Sequence, residues 1–267
     1  MNVESREYQE HPVFDKLDKF ISFYEWWSNS IMLFSTLGTK SIINIDTYVY
    51  SSMKGTLESI KLILSNGKIN DTYAILRKFH DSIIMNVYTN LYLDDNHSLK
   101  NLIVKQVDGW MQGTEQLPNF RTMTNFIKDN AKTKELYILI NTNSRYDKIR
   151  ERCNNNTHYN FYSNVMLNDN KVYNDSRGKY LDAIQHDLIH LVIMHLTYIF
   201  TVSEHYMISS DYTDFLDCGI TPPEDSQYWV ANAIQEIFDE VIKRNRSDLA
   251  KYILSRTGSV TPTVSLD

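Results

Sequence analysis

The stretch Leu188–Val202, LIHLVIMHLTYIFTV, is the longest apolar run in the chain. It is shorter than the roughly 20 residues that cross a bilayer, and it contains two histidines, which a membrane span rarely holds. The run therefore predicts a buried helix rather than a membrane span. We expect a long helix from about Lys179 to Met207 that contains it.

Outside this run, apolar residues recur at three- and four-residue steps, which is the spacing of one helical face. From His11 to about Leu37 these residues are Phe14, Leu17, Phe20, Ile21, Tyr24 and Trp27. Further helices are predicted over about 45–64, 71–93, 99–111, 121–130, 134–140 and 226–255, the last with a break near 246–248. Gly67 suits the cap at the end of the helix over 45–64.

Turn-forming residues are scarce, with 8 Gly and 5 Pro in 267 residues. This scarcity argues against a sandwich, a barrel or a doubly wound sheet with many tight connections. We therefore predict an all-α protein, a helical bundle with additional C-terminal helices. The expected organisation is one helical domain over 1–267, with a core at about 10–207, a helical extension at 208–257 and a frayed tail.

One segment departs from the helical pattern. Residues 154–175 contain eight asparagines, whose side chains compete for the nearby backbone. We expect a loop there, with a strand pair as the alternative.

Composition narrows the classes of function. The net charge of −6 disfavours undirected binding to duplex DNA. The two cysteines form neither a disulfide framework nor a zinc cluster, and the N-terminal residues lack an apolar signal-peptide stretch, so a cytoplasmic protein is expected.

The usual phosphate loops and zinc-protease motifs are absent from the sequence. His186 and His190 could share a metal, but buried or interface histidines are favoured, so neither a metal nor a cofactor is expected.

Basic residues are concentrated between Arg121 and His158. This segment has eight Lys or Arg and four Asp or Glu, a net charge of +4, whereas the rest of the chain carries −10. Such asymmetry is typical of an acidic protein that meets a polyanion at one place. The segment ends in YDKIRERCNNNTH, Tyr146 to His158, where two arginines precede an asparagine run and a histidine.

The spacing of Arg152 and His158, with five residues between them, resembles the motif of the HEPN superfamily, an all-helical group with many metal-independent ribonucleases. Asp71–Leu93 is similar to a preceding bundle helix in bacterial members, including abortive-infection-like proteins. The matched pieces lie within Asp71–His158. The resemblance implies a homodimer whose motifs meet in a basic cleft, an RNA substrate and a 2′,3′-cyclic phosphate product. It also implies a role in bacterial or phage-related defence or toxicity, with a regulatory or antitoxin partner.

The residue types fit that chemistry. Cleavage of RNA by its own 2′-hydroxyl needs a group that moves a proton near neutral pH, which His158 supplies, and a fixed cation for the phosphorane. Arg152 is the cation if the helix bends at the asparagines; Arg150 is the alternative, since Arg150, Asn154 and His158 form one stripe of an unbroken helix. Asn154 is expected to orient the ribose, the phosphate or the imidazole. The residues expected to contact RNA are Arg145, Lys148 and Asn155.

Two other classes of function remain open at this point. A catalytically silent helical module could bind RNA, a nucleotide or a partner protein through the basic segment 121–158. It predicts salt-dependent binding without a cleaved product. A helical scaffold without a nucleic-acid role is the third hypothesis. In that case the basic segment would pack against acidic surface of its own chain, and His158 would only cap a helix end.

Overall fold

Helices make up most of this computed structural model, which describes residues 1–30, 45–98, 101, 103–171 and 173–256. The α-helices are α1 Arg6–Gln9, α2 Pro12–Ser30, α3 Ile45–Ser65, α4 Ile69–Asn96, α5 Lys105–Gln112, α6 Phe120–Asp129, α7 Lys134–Asn141, α8 Arg145–Thr157, α9 Tyr162–Val165, α10 Arg177–Val202, α11 Asp211–Asp217, α12 Asn232–Ile237 and α13 Ser247–Arg256. Short 3-10 turns lie at Met166–Asn168, Glu204–Met207 and Ser226–Tyr228, and a π-helical segment, Phe238–Lys243, follows α12. In these ranges β pairing is limited to two isolated bridges, Ser98–Asn101 and Ile208–Val230. The prediction of an all-α protein is confirmed.

Most predicted helices are found near their expected ends. Gly67 ends the turn after α3 with a φ of 75°, and its N–H donates to the Leu64 carbonyl at 2.8 Å, as the cap prediction required. The predicted break near residue 246 separates the π-helical segment from α13. The final helical stretch starts later than expected, at Asn232. Residues 31–37 of the first predicted helix and the predicted frayed tail at 257–267 lie outside the described residues.

The chain divides into two compact units. The described part of the first unit consists of residues 1–30, 45–86 and 141–192, apart from residue 172. Its core contains Trp27, whose indole stacks on the ring of Tyr50 with centroids 4.1 Å apart, and Phe79, which meets Tyr24 edge-on. These aromatic rings fix how α2, α3 and α4 pack in this unit.

A buried cation also holds the first unit together. The side chain of Arg177, at the start of α10, is 1% exposed. Its guanidinium donates to the carbonyl of Met1 at 2.9 Å and to that of Asp169 at 2.5 Å. Because a buried guanidinium needs acceptors, these two bonds hold Met1 and the segment at Asp169 against the start of α10.

The described part of the second unit consists of residues 87–98, 101, 103–140 and 193–256. It includes the most apolar end of α10, where Ile193, Leu196, Ile199 and Phe200 are buried, as the apolar run predicted. Arg246 ties the turn before α13 to α7 by a hydrogen bond of 3.1 Å to the Leu139 carbonyl. The expected single domain with a core at 10–207 and an extension at 208–257 stays a prediction.

The expectation of a loop or strand pair over 154–175 was wrong for two stretches, because α8 continues to Thr157 and further helical turns form at Tyr162–Val165 and Met166–Asn168. Hydrogen bonds from other segments of the chain hold the last turn of α8. Asn156 is buried, its carbonyl accepts from the Asn70 amide at 2.9 Å, and its own amide donates to the Arg152 carbonyl at 3.0 Å. The carbonyl of Asn155 accepts from the amide of Asn164 at 2.8 Å. These bonds satisfy carbonyls of the last turn of α8 and the side-chain amide of Asn156, which stabilises the helical conformation of this turn.

No helix in the described ranges is both long and apolar enough to cross a membrane.

Candidate functional site

The site residues predicted from the sequence lie on helix α8 or at its end, in the first unit. Ile149, Cys153 and Asn156 are buried on the inner side of this helix. Since each residue advances the helix by about 100°, residues seven apart lie almost on one line, whereas residues two apart point in nearly opposite directions. Arg145 and Arg152 therefore share one side of α8, and Arg150 lies on another.

Arg152 is held by a carboxylate of α10. Its Nε donates to Oδ2 of Asp187 at 2.9 Å, and its Nη2 donates to Oδ1 of the same residue. The Asp187 side chain is fully buried, whereas that of Arg152 is 39% exposed. Burial lowers the pKa of Arg152, but the hydrogen bond and charge of Asp187 outweigh it, and the pKa is raised. The guanidinium is therefore fixed, charged and open to solvent on one side.

Arg150, the alternative cation, has a different partner. It donates from Nη1 to Oδ1 of Asp81 on α4, and Arg77 lies 3.9 Å from the other oxygen of that carboxylate. Arg77 and Asp81 lie one turn apart on α4. The two arginines that the sequence left as alternatives are thus separated, with Arg150 directed at α4 and Arg152 at α10.

Two histidines of α10 accompany the Arg152–Asp187 pair. His186 is one residue before Asp187, its side chain is 55% exposed, and its Nδ1 lies 3.7 Å from Asp187 Oδ1. His190 is one turn further along, is buried, and its ring centroid lies 4.4 Å from that of His186. Arg145 Nη1 lies 2.9 Å from both ring nitrogens of His190. The group Arg145, Arg152, His186, Asp187 and His190 is called the α8–α10 cluster below.

The three residues predicted to contact RNA lie in different surroundings. Arg145 belongs to the α8–α10 cluster, whereas Lys148 is exposed on α8. Asn155 accepts from the amide of Asn160 at 2.8 Å through its side-chain oxygen, so this group is already engaged. The side-chain oxygen of Asn154 is enclosed and has no hydrogen-bond partner among the described residues.

His158 is the residue that ends α8. Its backbone N–H donates to the carbonyl of Asn154 at 3.0 Å, and its side chain is exposed. Because α8 is unbroken to Thr157, residue 158 is turned by about 120° from residue 152 and lies about 9 Å further along the axis. The structure therefore does not bring His158 beside Arg152 within one chain.

The chain after His158 exposes aromatic side chains. Tyr159 is 50% exposed and has a φ of 50°, and Phe161 and Tyr162 are more exposed still. Tyr159 closes α8 with a double hydrogen bond in which its N–H donates to the Asn156 carbonyl and the next N–H to that of Asn155. This cap usually has glycine at the position that Tyr159 occupies.

Two buried titratable groups, Cys153 on α8 and His80 on α4, are neutral near neutral pH. Burial, with the charge of Asp187, raises the pKa of the Cys153 thiol to about 12, so this cysteine is not a reactive thiolate. Burial and the nearby Arg150 and Arg77 lower the pKa of His80 to about 3. No three His, Cys, Asp or Glu side chains converge on a metal position among the residues that the structure describes.

Asp187 was missed by sequence reasoning, and His186 and His190 were considered as metal ligands or as buried or interface histidines, without a catalytic role. A signal was present, because the sequence HDLIH places a carboxylate next to a histidine pair one turn apart, at the edge of the apolar run. The basic segment 121–158 is also divided, since 121–140 belong to the second unit and 141–158 to the first. Within the second unit, Lys132 pairs with Asp94 at 2.7 Å.

Compared with known proteins, the chain matches no family model, no curated protein and no solved structure.

Proposed function

We propose that this protein is a metal-independent endoribonuclease of HEPN type, a homodimer that acts in bacterial or phage-related defence or toxicity. The observation that carries the proposal is the fixed, partly exposed guanidinium of Arg152 on the buried Asp187. A cation held in place before the substrate arrives can stabilise the charge that develops on a phosphorane without reorganising during the reaction.

The geometry leaves Arg152 able to bind a phosphate. A guanidinium has five N–H donors, and the bonds to Asp187 use one on Nε and one on Nη2. The three remaining donors can bind phosphate oxygens. Arg145, one heptad earlier on the same side of α8, adds a second positive charge, so the α8–α10 cluster carries two guanidiniums against one carboxylate.

Proton transfer is assigned to His158, the histidine of the motif. Its exposed imidazole can accept a proton from a 2′-hydroxyl or donate one to the leaving oxygen. Since His158 lies about 120° from Arg152 on its own helix, it would serve a phosphate bound at Arg152 of a second copy, as expected for a homodimer. The product would be a 2′,3′-cyclic phosphate.

The second candidate function is RNA binding without cleavage. It is favoured by the exposed rings of Tyr159, Phe161 and Tyr162 at the end of a helix with basic residues. Aromatic side chains stack on unpaired bases, and nearby cations bind the backbone between them. This function predicts binding that weakens with salt and RNA that stays intact.

The test is incubation of the purified protein with structured and unstructured RNA in the presence of a chelator. The wild-type protein and the control Arg6→Ala, which alters an exposed arginine of the first unit, should cleave RNA equally. Replacing both members of the buried pair, Arg152→Met with Asp187→Leu, removes the cation without leaving a buried carboxylate unpaired, and this variant should be folded and inactive.

His158→Ala tests the assigned acid–base residue in the same assay. Cleavage lost in this variant supports the assignment, whereas cleavage that persists removes His158 from the mechanism. Intact RNA with the wild-type protein, together with salt-dependent binding, would favour the second candidate function.

A further inference from the structure

We infer that His186 is a catalytic residue that transfers a proton to or from RNA bound at Arg152 of the same chain. This inference rests on the proposed function and adds a histidine that the motif does not contain. Cleavage by a 2′-hydroxyl needs two proton transfers, because the attacking oxygen loses a proton and the leaving oxygen gains one. The motif supplies one exposed histidine for one of these transfers, so a second histidine can carry out the other.

His186 and Arg152 both approach the same carboxylate oxygen, Oδ1 of Asp187. The Nδ1 of His186 lies 3.7 Å from Oδ1 of Asp187, and Nη2 of Arg152 donates to the same oxygen. An imidazole and a guanidinium that face one carboxylate oxygen lie within reach of a single bound phosphate. Catalytic hydrogen bonds are often long in the absence of substrate and tighten when it binds, so a distance of 3.7 Å is compatible with this role.

Asp187 can give His186 the correct tautomer. A carboxylate next to Nδ1 favours a proton on that nitrogen and leaves Nε2 as the acceptor, which is how acidic residues orient catalytic histidines. Asp187 is fully buried and cannot turn to solvent, whereas the His186 side chain is 55% exposed. The arrangement thus combines a fixed orienting group with an imidazole that substrate can reach.

The neighbouring His190 positions His186 from the other side. Its ring lies against that of His186 and is itself buried and in contact with Arg145. Because a guanidinium only donates hydrogen bonds, the ring nitrogen that receives one from Arg145 carries a lone pair. His190 is also buried away from a substrate in solvent, so its role is to support Arg145 and His186.

The reaction step is balanced by these groups. The 2′-oxygen forms a bond to phosphorus while its proton passes to Nε2 of a neutral His186, and the bond from phosphorus to the 5′-oxygen breaks. A second acid, a protonated His158 in the proposed function or water, supplies a proton to the 5′-oxygen. Afterwards His186 releases the proton that it accepted to solvent, and the acid regains a proton from solvent. The products are a 2′,3′-cyclic phosphate and a 5′-hydroxyl, with no change in oxidation state.

The experiment compares cleavage and binding for His186→Ala and for the matched control His97→Ala, which alters an exposed histidine of the second unit. Cleavage is measured with RNA in chelator, and binding with an all-deoxy oligonucleotide of the same sequence, which lacks the nucleophile. His186→Ala should lose about 100-fold or more in cleavage rate and bind the deoxy probe within about 3-fold of the wild-type protein. The Arg152→Met/Asp187→Leu variant should lose both cleavage and binding of the deoxy probe, and His97→Ala should lose neither.

The outcomes separate this inference from the proposed function. If the double variant abolishes cleavage while His186→Ala cleaves at the wild-type rate, His186 is not catalytic and the ribonuclease proposal survives. A parallel loss of cleavage and deoxy-probe binding in His186→Ala would make it a binding residue and overturn the inference. If the wild-type protein cleaves no RNA, the proposed function fails and the role of His186 fails with it.

Discussion

Arg152 and Asp187 form a bidentate ion pair in which the carboxylate is fully buried and the guanidinium is partly exposed. Because of this difference in burial, breaking the pair has a different effect on each of the two side chains. Without its partner, Arg152 can turn toward water, but Asp187 cannot. The pair thus fixes a cation at the surface of α8 by means of a charge in the interior of the unit.

Replacing Arg152 should destabilise the protein more than replacing Asp187. Arg152→Ala leaves a buried, unpaired carboxylate, so we expect a loss of about 3 kcal/mol in the free energy of unfolding, at the low end for a buried pair because water reaches the arginine. Asp187→Asn should cost about 1 kcal/mol, and Arg152→Met/Asp187→Leu should recover much of the stability of the wild-type protein. Urea unfolding of the three variants checks this order. Equal losses for the two single variants would contradict it.

Arg150 should be dispensable for cleavage. Its partner Asp81 is 41% exposed, so Arg150→Met should lower the free energy of unfolding by less than about 1 kcal/mol. We expect the cleavage rate to stay within a few-fold of wild type, measured beside the inactive Arg152→Met/Asp187→Leu protein. A loss as large as that of the double variant would show that Arg150 is the working cation.

The free energy of unfolding should decrease as the pH is lowered below about 6.5. Burial lowers the pKa of His80, with help from Arg150 and Arg77, and that of His195, both to about 3, so neither is charged in the folded protein near neutral pH. The unfolded chain protonates both near pH 6.5, so below that pH it binds more protons than the folded chain. Their contribution to stability is complete above pH 6.5 and is lost as the pH falls toward 3. Each histidine should remove about 1 kcal/mol between pH 7.5 and 5.5.

Urea unfolding at pH 7.5, 6.5 and 5.5 measures this dependence, with His80→Gln and His195→Gln as controls that each remove one of the two groups. Their free energies of unfolding should fall less steeply with decreasing pH than that of the wild-type protein. A wild-type free energy that is constant or rises between pH 6.5 and 5.5 would show that these histidines are not kept neutral.

Tyr159 should be replaceable by glycine with a gain in stability. Its φ of 50° costs an L-residue about 1–2 kcal/mol, and glycine avoids this cost but loses part of the gain to its greater freedom in the unfolded chain. We expect Tyr159→Gly to raise the free energy of unfolding by about 0.5–1 kcal/mol. The control is Tyr162→Gly, a more exposed tyrosine at the first residue of α9, which should lower it. Destabilisation by Tyr159→Gly would mean that the tyrosine ring contributes more than its backbone costs.

The helices themselves were largely predictable, because periodic apolar residues are a local signal. The buried run Leu188–Val202 and the cap at Gly67 followed from residue type and spacing alone. The asparagine segment was misassigned because the partners that keep Asn155 and Asn156 helical are Asn164 and the distant Asn70. Local propensity could not include a hydrogen bond formed 86 residues away.

By itself, the sequence determined an all-α chain, a basic segment over 121–158 and a short set of arginines and histidines with suitable chemistry. Only the tertiary structure separated Arg150, which pairs with Asp81, from Arg152, and only it placed His186 and Asp187 beside Arg152. The physical reason is that helical periodicity fixes the side of a helix on which a residue lies, whereas the neighbour on that side depends on packing between helices that are far apart in the chain.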